Sequence, residues 1–123
     1  MNALEYEAFI TKAQNCEQGE IEGADASEWN TLIESERDAN QGNASNADIL
    51  GFQDHLQEVK HFVYDAFKVA TERLFEKDGD ITGISALAVL ATRATNAKNT
   101  SQLSSILEEG MALLNKHGID YEY

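Results

Sequence analysis

Ile49, Phe52, Leu56, Val59, Val63, Ala66 and Ala70 recur at alternating steps of three and four residues. Only a helix gathers such positions on one face, because 3.6 residues complete a turn, whereas a strand repeats every second residue. The spacing predicts a coiled-coil-like helix over about 46–77, opened by the capping box Ser45-Asn-Ala-Asp48. Phe62, Phe67, Val69 and Leu74 widen its apolar stripe. At 1.5 Å per residue this helix is on the order of 45 Å long, more than a compact globule of this size spans. Either the bundle is elongated, or one end of the helix projects to meet something else.

Nothing else in the chain argues for a different class. There is no proline at all, although average usage of about 5% would supply several, so no helix need be interrupted. Asn2-Ala-Leu-Glu5 has capping-box form and precedes Tyr6, Phe9, Ile10 and Ala13, which predicts a first helix from about Ala3 to Cys16. The stretch EQGEIEGADA reads as a loop. Asp25-Ala-Ser-Glu28 repeats the cap signature ahead of Trp29, Leu32 and Ile33, giving a short second helix that closes toward Gly42.

Beyond the long third helix, Gly79 reads as its stop and Asp80 or Thr82 as the cap of a fourth helix over SALAVLATRATNA. Its small residues suit close approach to neighbours and place it centrally in the bundle. Thr100 or Ser101 reads as the cap of a fifth helix carrying Leu103, Ile106, Leu107, Met111 and Leu114. Lys116 and His117 fall in its last turn, Gly118 supplies the stop, and Ile119 can fold back on the helix end. No strand-like alternation of useful length occurs. The fold class is therefore all-α: one domain over 1–123, a bundle of about five helices around one long central helix. It divides into an acidic N-terminal part (1–48), a helical core (49–118) and a short tail (119–123).

A chain of 123 residues buries roughly two-thirds of its unfolded surface without disulfides or metal. No run approaches the ~20 apolar residues of a membrane span. The N-terminal MNALEYEAFITK lacks the basic-then-apolar layout of a signal peptide. The expectation is a cytoplasmic protein, consistent with the single cysteine, Cys16, which has no intramolecular partner. Asn43-Ala-Ser45 and Asn99-Thr-Ser101 match glycosylation acceptors but read better as turn and cap residues.

Each chemical motif can be tested by geometry. The run KDGD invites comparison with a calcium loop, which needs oxygen donors at set offsets and a bidentate acid at its twelfth position. Counting from Glu76 the twelfth residue is Leu87, and from Asp78 it is Val89, so neither frame closes the shell. His55 and His61 lie about 120° apart around their helix and do not share a face, and His117 is explained by a helix C-terminus. Glu17 and Glu20 beside Cys16 disfavour a thiolate. A dimetal carboxylate centre needs two Glu-x-x-His pairs, and Glu58-Val-Lys-His61 is one copy without a second. With no phosphate loop or serine elbow either, the expectation is a non-catalytic chain without metal or cofactor.

Charge is the remaining clue. The net charge is −13, and residues 1–48 hold 11 acids against two bases. Within that part Glu17, Glu20, Glu22, Asp25, Glu28, Glu34, Glu36 and Asp38 are opposed only by Arg37, with Trp29 among them as a candidate aromatic anchor. The sign argues against direct binding to nucleic acid and to anionic membrane, and for a basic protein partner such as a nucleic-acid-processing enzyme. The functional expectation is a small acidic inhibitor or immunity-type protein, of the anti-defence kind carried by phages and mobile elements, whose carboxylates mimic phosphates. The alternative is a viral or mobile-element assembly subunit that forms a homodimer or larger array through the long helix. An acidic face that only confers solubility is the plainer account.

Overall fold

The computed structural model describes residues 2–14, 25–77 and 81–116. They form five helices: α1 (Ala3–Gln14), α2 (Ala26–Ala39), α3 (Asn46–Lys77), α4 (Ile81–Thr95) and α5 (Thr100–Lys116). Among the described residues there is no strand, and no helix is long and apolar enough to cross a membrane.

Local chemistry sets most of the starts. Asn2 Oδ1 accepts the Glu5 N–H and Glu5 Oε2 accepts the Asn2 N–H, both at 2.9 Å, so α1 begins in a reciprocal capping box. Ser45 and Asp48 do the same for α3 at 3.1 Å in each direction. The fifth helix differs from expectation. Its cap is Asn99, whose Oδ1 accepts the Gln102 N–H at 2.8 Å while Gln102 Oε1 accepts the Lys98 N–H at 2.9 Å. Thr100 and Ser101 already lie inside the helix. An amide one residue earlier satisfies the first-turn donors and leaves Thr100 for a tertiary contact. Thr82 likewise lies inside α4 rather than ahead of it.

The apolar stripe of α3 is buried from Leu56 through Val59, Val63, Ala66, Phe67 and Ala70 to Leu74. Burial of each large side chain there contributes roughly 1.5–3 kcal/mol. Among the described residues both α3 and α5 touch all four other helices, whereas α4 packs on α3 and α5 alone. The expectation of a central α4 is therefore corrected. Gly83, Leu87, Leu90, Ala91 and Ala94 are buried, but Val89 on the opposite side is 57% exposed. Small residues bring a helix close to a neighbour; they do not surround it.

One end of α3 does project. Every residue from Asn46 to Asp54 is exposed except the half-buried Phe52, and Leu50 is 58% exposed. This end follows directly on the turn from α2, whose N-terminal Glu28 lies against His55 well inside α3, so α2 and α3 run antiparallel.

Candidate functional site

The acids proposed to form a docking surface are separated by the fold into different roles. Glu17, Glu20 and Glu22 lie outside the described residues. Asp25 is the N-cap of α2: its Oδ1 accepts the Ser27 N–H at 2.9 Å, the Ser27 hydroxyl at 2.5 Å and the Glu28 N–H at 3.3 Å. The Ser27 hydroxyl, with the Glu28 and Ser27 N–H groups, holds the Asp25 carboxyl below the ordinary aspartate range. Glu36 is half-buried and turned away from solvent onto the start of α5, where it accepts both the N–H and the hydroxyl of Thr100.

Trp29 is not an anchor on the surface. It is 1% exposed, and its ring stacks on Tyr6 of α1 at 5.4 Å with an interplanar angle of 23°. Together with Leu32 it is the buried edge that fastens α2 to the bundle. A tryptophan flanked by polar residues reads as exposed only until the partner helix that covers it is known.

What remains outward on α2 is Glu34 and Asp38, one turn apart on the same side of the helix, with Arg37 beside them. The neighbouring end of α3 adds exposed Asp48 and Asp54 and the exposed apolar Ile49 and Leu50. The antiparallel hairpin therefore carries four exposed carboxylates and an exposed apolar pair, with Asp48 and Asp54, six residues apart, about 120° from one another around α3. Sequence reasoning missed both apolar residues: Leu50 lies outside the three-four stripe, which was an available signal, whereas Ile49 opens the stripe and gave none.

The histidines diverge as their spacing implies. His61 is exposed and pairs with Asp65 one turn on at 3.3 Å, a surface contact of little energetic weight. His55 is turned toward α2, its Nε2 3.6 Å from Glu28 Oε2, with the two side chains only 23% and 27% exposed. Cys16, His117 and the residues Asp78, Gly79 and Asp80 of the KDGD run lie outside the described residues.

A shallow apolar groove of about 460 Å³ runs between α4 and α5, over Ala86, Val89, Leu90, Ala112 and Leu113, and the Arg93–Glu109 ion pair borders it at 2.8 Å. Its polar lining is Ser85 and the Arg93–Glu109 pair. The sequence matches no family model, and neither a curated protein nor a solved structure matches it.

Proposed function

We propose that this chain is a small non-catalytic binding protein that docks on a positively charged surface of a protein partner, such as the nucleic-acid channel of an enzyme, and obstructs it. The observation that carries this reading is the α2–α3 hairpin, on which exposed Glu34, Asp38, Asp48 and Asp54 accompany exposed Leu50. Carboxylates around a desolvatable apolar contact give a basic partner both long-range attraction and a buried centre. Over residues 25–48 six acids face a single base, Arg37, and a field of that sign repels nucleic acid itself. Self-association along the α3 seam has less to work with, because the stripe from Leu56 to Ala70 is already buried against the chain's own helices.

The test is affinity capture from the native host at about 50 mM salt, followed by binding measurements on the captured partner. Reversal of Glu34, Asp38 and Asp54 to lysine should weaken binding at least tenfold, chiefly by slowing association. Glu72→Lys with Glu108→Lys should matter little. Wild-type affinity should fall as salt rises toward about 500 mM, and duplex DNA should compete for the same partner. Equal effects from the two sets of reversals would reduce the acidic surface to a solubility feature. Salt-resistant oligomers of the chain alone would favour assembly instead.

A further inference from the structure

Glu28, His55 and Glu58 each offer a ligand atom, and these atoms lie within 4.8 Å of one another. The arrangement has a simple origin. His55 and Glu58 are three residues apart on α3 and so share a face. Glu28 stands in the first turn of α2, where a capping box would turn it back on Asp25, but its carboxylate is directed across the helix interface to His55.

One donor atom of this cluster has no hydrogen-bond partner among the described residues. His55 Nε2 is buried and makes no hydrogen bond among the described residues, its approach to Glu28 at 3.6 Å being too long for one. Tyr6 Oη is also buried and has no hydrogen-bond partner among the described residues, in a side chain with no exposed surface. Native structures leave few buried polar groups unsatisfied, and an unoccupied ion or water position is a common reason.

We infer that Glu28, His55 and Glu58 form a binding site for a divalent transition-metal ion of the zinc class, with His55 Nε2 and one oxygen of each glutamate as its protein ligands. One imidazole with two carboxylates is a borderline donor set. It suits zinc and its first-row neighbours, whereas calcium and magnesium favour oxygen alone. Metal–donor distances of about 2.0–2.2 Å in a tetrahedron place donors roughly 3.3 Å apart. Two of the ligands are already close to this, and the exposed Glu58 side chain has the rotational freedom to close the rest. Three protein ligands leave one position for water or for a donor from another molecule. Because α2 and α3 both contribute, the ion would clip the hairpin together and stabilise the folded state. This inference is independent of the docking function proposed above.

Calorimetric titration of the 123-residue chain with zinc chloride tests the site, with magnesium and calcium chloride as separate arms. The expected result is one equivalent of zinc bound, no heat from the other two ions, and a melting temperature raised by about 10 °C at a hundredfold excess over Kd. His55→Ala and Glu28→Gln should each weaken zinc binding at least tenfold. Glu58→Gln, at an exposed position where folding is not at stake, should do the same. His61→Ala and Cys16→Ser should leave binding unchanged. Absence of zinc binding by the wild-type chain, or binding that survives Glu58→Gln and His55→Ala while it is lost in His61→Ala or Cys16→Ser, would overturn the assignment.

Discussion

The Glu36 carboxylate accepts the Thr100 N–H at 2.8 Å and the Thr100 hydroxyl at 2.6 Å, joining two residues 64 apart in the chain. Asn99 satisfies one donor of the first turn of α5 from within its own segment, and Glu36 satisfies another from α2. A negative charge at this place also meets the positive end of the helix dipole. The contact fixes the C-terminal half of α2 to α5 without any apolar side chain.

Glu36→Ala should destabilise the fold by about 1–3 kcal/mol, because Thr100 is buried and its N–H would lose its acceptor. Glu36→Gln, which keeps one acceptor oxygen but loses the charge, should fall between the variant and the wild type. Urea denaturation of the three proteins measures this. A silent Glu36→Ala would mean that water replaces the carboxylate without loss.

A second expectation concerns Gly110. A Cβ placed there would stand 2.5 Å from Phe67 Cε1, 2.7 Å from Phe67 Cζ and 3.1 Å from Phe9 Cε2. The two rings pack against each other at 4.9 Å and neither has exposed surface, so neither has room to swing aside. Gly110→Ala gains roughly 0.5–1 kcal/mol in helix propensity but costs about 1–3 kcal/mol in overpacking, for a net loss. Gly51→Ala, in α3 with nothing within 4 Å of its Cβ, should keep the propensity gain and raise stability. Opposite signs for the two substitutions in the same denaturation assay are the expected result.

The buried stripe of α3 supplies a third comparison. Val59 has no exposed surface, whereas Gln57 is exposed. Val59→Ala should lose roughly 1–3 kcal/mol and Gln57→Ala almost nothing. Equal losses would mean that the stripe does not face the core.

Features determined by neighbours in sequence were legible in it. The capping boxes at Asn2 and Ser45 and the α3 stripe from Leu56 to Ala70 span three or four residues per step, and periodicity alone reveals them. Features determined by contacts between helices were not. Trp29 sits among polar residues, and only Tyr6 from α1 shows why it is buried. Glu36 resembles its acidic neighbours until Thr100 is brought to it. The His55–Glu28 approach crosses from α3 to α2, so histidine spacing along one helix does not reveal it, although His55-Leu-Gln-Glu58 already puts two of the three donors on one face. The placement of α4 failed for a related reason, since an apolar composition says how much surface a helix can bury but not how many partners it has.

The cap of α2 gives a prediction about pH. The hydrogen bonds from Ser27 and from the Glu28 N–H favour the ionised form of Asp25 in the folded chain, so its folded pKa lies below the unfolded value of 3.8. For a carboxyl lowered in this way, the unfolded state binds the proton first as the medium is acidified. The stabilisation is therefore complete above the unfolded value and is lost as pH falls through the folded one. Asp25→Ala should melt lower than wild type at pH 7, and the difference should narrow once pH drops below about 3.8, as far as the chain stays folded. Asp25→Asn keeps an acceptor for the same N–H groups and should remain closer to wild type at pH 7, with little of the acid dependence. Melting curves of the three proteins between neutral and acid pH decide the matter. A difference between Asp25→Ala and wild type that stays constant down to the lowest pH would show that the cap acts through its geometry and not through its charge.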